Sequence, residues 1–321
     1  LLFHLWESIG QRFGYYFLRE NCALRLAELL TVATGEDFGI DPMLWYAPVT
    51  FFHHLEDADR ESGGALVQSV KFLPSSQRVL YHEFSKLDVS SRNLFNNVIS
   101  QELRLSDALG ALPGLQERVA LLDVLLAYYQ YRLAPYPKDD ESKKARVLNE
   151  RKDEVLLLRL ALPPSSAPDN DEIKPLTPPS KGSKPSKGGV AFARNSEFGG
   201  YLRGEFSSFH YDSIGNNNLA GSALVVLDAS FGYSESEGLF IDQVDFVRAR
   251  KINVNTVRIA GESTWSWDVA TGLKRDRLDC TSCLEIYGSA AIGRALQIGQ
   301  DWTAHATIEG RLESKGDRVT L

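Results

Sequence analysis

The pair Asn21-Cys22 is the part of this sequence best suited to chemistry. An aromatic segment at 15–17 precedes it, and leucines at helical spacing follow it. Cys22 is therefore predicted to open a helix, where unpaired backbone N–H groups and the positive end of the helix dipole favour the thiolate. The thiolate is the nucleophilic form of cysteine. The alternative is a small buried residue that packs the helix start, since free cysteine is among the most buried residue types.

Residues near Cys22 could assist such a nucleophile. Asn21 could orient a base or donate to an oxyanion, although a polar residue at the start of a helix needs no such role. His4, in an apolar run with Trp6, is a weaker candidate for the base, because a histidine there can equally be a hydrogen-bonded packing residue. Glu7 and Glu20 could orient a histidine, but carboxylates near helix starts are common for electrostatic reasons alone.

The other cysteines and histidines give weaker signals. His53 and His54 are adjacent, so they point in different directions and make a poor metal pair. Cys280 and Cys283 form a Cys-x-x-Cys motif between two predicted strands, whereas a thioredoxin-like centre needs a βαβ context. A zinc site needs two more ligands. A small disulfide in an oxidising compartment is the favoured interpretation, which leaves Cys22 as the free thiol. We expect no metal and no cofactor.

Composition bounds the class of protein. The 321 residues leave room for two domains, and a net charge of −7 without a basic patch argues against nucleic acid as a partner. No apolar run is long enough for a transmembrane helix. The sequence opens inside an apolar run and its only methionine is Met43, so we expect it to be part of a longer chain, with any signal peptide upstream.

A proline-rich stretch divides the sequence. Seven of its 13 prolines fall at 163–185, which predicts a solvated Pro/Ser/Lys linker over 163–189. Its lysines could meet anionic headgroups or simply keep it soluble. Helices are predicted before the linker at 24–33, 75–86, 92–109, 115–133 and 141–160, the last docking by its apolar final turns.

After the linker the apolar residues alternate with polar ones. Strands are predicted at 201–211, 223–233, 239–250, 265–273, 285–298 and 302–312, with the odd-numbered residues 223–233 on one face. One face of the last strand is apolar, and its other face carries Asp301, Glu309 and Arg311. Strands of about ten residues with this pattern suit an outer-membrane β-barrel, although a soluble antiparallel sheet alternates in the same way. A closed barrel needs at least eight strands, so we expect further strands beyond Leu321.

The residues at 4–7, 15–17, 20–22 and 71–75 together resemble the bacterial family built on the Lnb N-terminal periplasmic domain. In the second half, 209–212, 266–267, 272–273 and the Cys280/Cys283 pair resemble the C-terminal extension of its Gram-negative members. The resemblance implies a papain-like thiol-hydrolase fold with Cys22 as the nucleophile. The characterised Gram-positive members are lipoprotein N-acyltransferases, which move an acyl chain from a lipoprotein's diacylglyceryl group to its N-terminal amine.

The expected protein is therefore α+β, with a truncated papain-like domain and helical region at 1–162, the linker at 163–189 and an incomplete antiparallel β-barrel at 190–321. The family's histidine base is expected before Leu1, so this piece should be inactive by itself. Cys22 would attack an ester carbonyl to form a thioester, and backbone N–H groups at the helix start would hold the oxyanion. The expected location is the periplasm and outer membrane of a Gram-negative bacterium. The expected partners are outer-membrane lipid and lipoproteins or other acylated envelope molecules.

Two other functions fit the same sequence. One is a non-catalytic outer-membrane scaffold or transport protein whose periplasmic domain only binds. The other is a wholly soluble two-domain protein. A histidine in a glycine-containing strand upstream would favour the enzyme. A full-length gene without a signal peptide or a terminal barrel strand would favour the soluble protein.

Overall fold

The computed structural model describes residues 14–16, 20–40, 46–137, 140, 142–163, 173–195, 199–212, 221–254, 257–275, 280, 282–298 and 302–314. Its helices are α1 (Cys22–Thr34), α2 (Pro48–Glu61), α3 (Ser76–Lys86), α4 (Val89–Ile99), α5 (Leu105–Ala111), α6 (Leu115–Leu133) and α7 (Lys143–Leu160). A 3-10 turn spans Pro179–Lys181. The strands are β1 (Lys187–Asn195), β2 (Gly199–Asp212), β3 (Ser222–Ser234), β4 (Gly238–Lys251), β5 (Ser266–Arg275), β6 (Leu284–Ile298) and β7 (Trp302–Glu313). The predicted α+β class is confirmed.

The helices match the prediction except at two places. α2 was not predicted; it starts at Pro48 after Ala47, which offers no side-chain cap. The single helix predicted over 92–109 is two helices, because the Asn97 carbonyl accepts from the N–H groups of both Glu102 (2.9 Å) and Leu103 (3.2 Å). Gln101 between them takes the left-handed conformation, with φ 62°. No helix in the described part of the chain combines the length and apolar character needed to cross a membrane.

The chain divides into two compact units. The first unit contains residues 1–70, 176–254 and 264–321, and the second contains 71–175 and 255–263. The papain-like architecture and the boundaries at 162 and 190 stay predictions. Within residues 1–70, the described part holds α1 and α2 and no strand.

The seven described strands form one antiparallel sheet in chain order, β1 to β7. The sheet is open, with β1 and β7 at its edges. β1 begins inside the stretch that the sequence predicted as linker, and the six predicted strands are all present. The predicted disulfide between Cys280 and Cys283 is also present, between β5 and β6.

One predicted face is wrong in β3. Leu227 is left-handed (φ 51°), and the alternation changes phase there. Val226 of β3 lies opposite Val247 of β4, which in turn lies opposite Thr271 of β5. In the same way, Ala229 lies opposite Val244, which lies opposite Leu273. Since Thr271 and Leu273 are two residues apart on β5, Val226 and Ala229 lie on the same face, and Val225 lies on the other. The left-handed backbone at Leu227 therefore lets apolar side chains before and after it lie on the same face of the sheet.

That apolar face is exposed over most of its area. Ile292 pairs with Ile308 and Val269 with Ala290, so their side chains share it. Its exposed large side chains are Val190, Phe192, Leu202, Phe206, Tyr233, Val247, Trp267, Val269, Ile286, Ile292, Leu296, Ile298, Trp302, Ile308 and Leu312. Proteins in water rarely expose a contiguous apolar surface of this extent.

The opposite face of the sheet is polar and forms a cleft of about 380 Å³. Arg248 pairs with Asp268 at 2.9 Å, and the hydroxyl of buried Tyr287 donates to Asp245. Asp245 also accepts from the Gln243 amide at 2.7 Å. Charged side chains thus satisfy one another on this face, away from the apolar one.

The start of α2 packs against the sheet within the first unit. Ala47 and Val49, at the start of α2, contact Phe209 and Val226 on the apolar face. The described part of the predicted linker is not simply solvated. Lys181 forms an ion pair with Glu56 of α2, and the His210 N–H donates to the Pro185 carbonyl at 2.7 Å.

The second unit is a helical bundle around buried residues of α3 to α7, including Phe84, Phe95 and Leu122. Residues 255–263, which the chain contributes from between β4 and β5, complete it. Ile259 is buried in the helical core, and the Asn96 side chain holds its neighbours by accepting from the Ala260 N–H (2.9 Å) and donating to the Arg258 carbonyl (3.2 Å). In α7, Ala145 in the first turn and Val155 near the end are both buried, so the helix packs at both ends and not by its final turns alone.

We predict that Ile259→Ala destabilises the helical bundle by about 2–4 kcal/mol, because it opens a cavity in a packed core. The exposed neighbour Arg258→Ala is the matched control and should change the free energy of unfolding by less than about 0.5 kcal/mol. Hydrogen exchange of the α3 and α6 amides measures the difference. Equal protection in the two variants would show that this segment is not part of the core.

Candidate functional site at Cys22

Cys22 is the first residue of α1, as predicted, and its side chain is exposed. It is the only free cysteine among the described residues, since the other two are paired. The alternative interpretation, a buried packing residue, does not fit this exposure. The small residues that do pack the start of α1 are Ala23 and Ala27.

Asn21 is buried, with 1% of its surface exposed. Its Oδ1 accepts hydrogen bonds from the N–H groups of Ala23 (3.0 Å) and Leu24 (3.2 Å), so it is the N-cap of α1. Its Nδ2 donates to the Tyr46 carbonyl at 2.6 Å. The amide therefore fixes the helix start on which Cys22 lies and ties it to the chain segment before α2.

Tyr46 continues this set of contacts. Its buried hydroxyl donates to the Phe38 carbonyl at 2.6 Å, and burial, with a smaller effect of Asp37, raises the pKa of this phenol well above its usual value. The His54 ring stacks on the Tyr46 ring at 6.3 Å, and burial lowers the pKa of His54. A Cβ on Gly39 would lie 2.4 Å from His54 Nε2, so glycine leaves the room that this ring occupies.

The sequence pattern did not predict the contact of Tyr46 with Asn21, and it treated His54 only as half of a poor metal pair. Tyr46 is 25 residues from Asn21, and no local periodicity links the two. His53 is buried and His54 half-buried, in agreement with the prediction that the two point in different directions. No group of three or more possible metal-ligating side chains (His, Cys, Asp, Glu) lies within the described ranges.

The remaining candidates divide between described and undescribed residues. Glu20 lies 3.8 Å from the Arg25 guanidinium, and Arg25 also pairs with Glu28 at 2.9 Å. The carboxylate of Glu20 thus has a cation as its partner one turn into α1. His4 and Glu7 lie outside the described residues, so their predicted roles stay predictions.

Comparison with known proteins supports the resemblance in the segment that holds Cys22. Residues 1–55 match the family described as the Lnb N-terminal periplasmic domain. The match ends within α2 and includes Cys22, Asn21, Tyr46 and His54. The matched family is described as a periplasmic domain, which agrees with the location expected for this segment. Searches of curated proteins and of solved structures find no match to the chain.

We predict that Asn21→Ala lowers the free energy of unfolding by about 2 kcal/mol, since it removes the cap of α1 and leaves the buried Tyr46 carbonyl without its donor. Asn21→Ser is the matched variant, because a serine oxygen can still cap the helix; it should recover about 1 kcal/mol of that loss. Urea denaturation compares the two. Equal losses would mean that the cap contributes nothing measurable here.

Proposed function

We propose that this protein works in the cell envelope as a cysteine-dependent acyltransferase or hydrolase, with Cys22 as the nucleophile. Its substrate is an acylated or lipid-bearing envelope molecule, such as a lipoprotein. The observation that carries the proposal is an exposed, unpaired thiol on the first residue of a capped helix. That thiol lies inside the segment that matches the Lnb N-terminal periplasmic domain.

The chemistry is covalent catalysis in two steps. A general base takes the thiol proton, the Cys22 sulfur bonds to an ester carbonyl carbon, and the C–O bond breaks as the alcohol leaves with a proton. An amine or water then attacks the thioester carbon, the C–S bond breaks, and the thiol regains its proton. An amine acceptor makes the reaction an acyl transfer, whereas water makes it a hydrolysis.

The helix cap limits which groups can hold the oxyanion. The N–H groups of Ala23 and Leu24 already donate to Asn21, and the N–H of Arg25 donates to the Asn21 carbonyl at 3.3 Å. Within the described residues, the N–H of Cys22 has no hydrogen-bond acceptor. This N–H is therefore the oxyanion donor in the proposed mechanism, and Asn21 is a positioning residue.

The second part of the proposal is that the sheet belongs to an outer-membrane β-barrel. Its apolar face carries exposed Ile292, Ile308 and Leu312, and its other face holds paired charges such as Arg248 and Asp268. Lipid on one side and a polar interior on the other would accommodate both faces. The disulfide between Cys280 and Cys283 agrees with an oxidising compartment.

A second candidate function is a non-catalytic outer-membrane scaffold or transport protein. The polar cleft of about 380 Å³ on the sheet is the observation that favours it. In that case Cys22 would be dispensable, and the charged side chains of the cleft would carry the activity. The two functions therefore differ in whether the activity requires the sulfur atom of Cys22.

We predict that the full-length gene, expressed in a Gram-negative host, changes the acylation of lipoprotein N-termini or of phospholipids. Cys22→Ala should reduce that change by roughly a thousandfold or more, because the covalent intermediate cannot form. Mass spectrometry of lipoproteins and lipids measures it, with Cys280→Ser/Cys283→Ser as the control that removes the other two cysteine sulfurs. Identical profiles from folded, correctly localised wild type and Cys22→Ala would leave the scaffold function.

We predict that Ile308→Arg weakens insertion of the sheet into lipid by about 2–4 kcal/mol, since it places a cation on the lipid-facing side. Thr307→Arg is the matched control on the same strand, because its side chain lines the polar cleft. Folding into phosphatidylcholine vesicles, followed along a urea series, measures both. Equal effects of the two substitutions would contradict the assignment of the faces.

A further inference from the structure

An arginine interrupts the exposed apolar face of the sheet in β6. Arg294 is exposed, and Ile292 and Leu296, two residues before and after it, are exposed apolar residues on the same face. Across the strand pair, Arg294 lies opposite Ala306 of β7. On its other side, the guanidinium lies 4.6 Å from the centre of the Trp265 ring. Arg294 thus has apolar and aromatic surroundings.

Within the described residues, no carboxylate lies within ion-pair distance of Arg294. Two arginines of the polar face differ in this respect, since Arg248 pairs with Asp268 at 2.9 Å and Arg311 with Glu309 at 3.0 Å. A guanidinium that stacks on an aromatic ring keeps the N–H donors at its edge for another acceptor. Arg294 therefore presents hydrogen-bond donors and a positive charge to an anion from outside the sheet.

The apolar face of β6 is longer than an outer-membrane barrel requires. Ile286 and Ile298, both exposed on this face, are twelve residues apart. At about 3.4 Å per residue and a strand tilt of about 40°, they span roughly 30 Å of height, whereas the apolar band of such a barrel is about 25 Å tall. Arg294 is eight residues from Ile286, or roughly 21 Å of height, so a band that starts at Ile286 ends close to Arg294.

Hydration restricts where this arginine can lie in the proposed barrel. On the lipid-facing side of a barrel, an arginine is strongly destabilising at the middle of the membrane and costs little near its surface. Tryptophan is enriched at that surface, where its ring sits at the level of the headgroups. Both side chains of the Arg294–Trp265 pair therefore favour the boundary between hydrocarbon and headgroups. Ile298 and its strand partner Trp302 then lie on the headgroup side of this boundary.

We propose that Arg294 and Trp265 bind the phosphate groups of the phospholipids in the periplasmic leaflet, and so set the depth of the sheet in the membrane. This inference rests on the proposed barrel and deepens it. Because neighbouring strands are antiparallel, β6 ends where β1 begins, and the segment that matches a periplasmic domain precedes β1. A phosphate accepts charge-assisted hydrogen bonds from the guanidinium, which the apolar neighbours of Arg294 cannot do.

The test measures the depth of two labels, one on each side of Arg294, in the full-length protein folded into dioleoyl phosphatidylglycerol vesicles. Ile292→Cys and Ile298→Cys place a nitroxide on the same face of β6. A Cys22→Ser background leaves the introduced thiol as the only free cysteine of residues 1–321. Relative accessibility to oxygen and to a water-soluble nickel chelate reports depth. The label at 292 should lie in the hydrocarbon, about 15 Å deeper than the label at 298.

Arg294→Gln tests the guanidinium itself. Without the cation, the sheet should settle deeper, so the label at 298 should move toward the hydrocarbon by about 5 Å, the height of two residues along the strand. Arg250→Gln is the matched control, because it makes the same change in charge on the polar face, where Arg250 lines the cleft. It should leave both depths unchanged.

The outcomes separate this site from the barrel on which it rests. Two labels in the hydrocarbon, with Arg294 intact, would overturn the site and leave the barrel standing. Two labels in water would contradict the barrel, and the site with it. Equal depths in Arg294→Gln and Arg250→Gln would show that the guanidinium does not hold the boundary. If Arg294→Gln does not fold, the pair of labels with Arg294 intact still decides among the first outcomes.

Discussion

The buried side-chain amide of Asn21 joins three segments of the first unit. Its oxygen caps α1, and its nitrogen holds the backbone of Tyr46, whose own hydroxyl reaches the Phe38 carbonyl. Because an unsatisfied buried polar group costs about 1–3 kcal/mol, these hydrogen bonds stabilise the structure only if they form together. The orientation of the α1 start, and hence the place of Cys22, depends on this one amide.

This arrangement separates the positioning of the thiol from its chemistry. Asn21 is fully enclosed, while Cys22, the next residue, is exposed. The cap occupies the N–H groups of Ala23 and Leu24, which leaves the Cys22 N–H as the donor beside the sulfur. A capped helix start and an exposed thiol are thus adjacent in the chain without competing for the same hydrogen bonds.

The sheet imposes a second constraint, since its two faces require different surroundings. Paired charges such as Arg248 and Asp268 need water or a polar interior, whereas the apolar face leaves Ile308 and Trp302 exposed. The start of α2 covers the apolar face only near Phe209. The proposed lipid environment would remove the remaining apolar area from water, a term that favours insertion by roughly 25 cal/mol per Å².

Sequence alone determined the features set by local rules: the start of α1 at Cys22, the limits of α6, the six longer strands and the Cys280–Cys283 disulfide. Alternation and helical spacing record which face of an element is apolar, so they can be read without knowing the neighbours. Tertiary structure decided the change of phase at Leu227, the bond from Asn21 to Tyr46 and the burial of Ile259 in the helical bundle. Two of these features depend on contacts between residues distant in sequence, and the change of phase depends on a backbone conformation that the pairing of neighbouring strands imposes. Neither kind of feature produces a periodic pattern of apolar residues in the sequence.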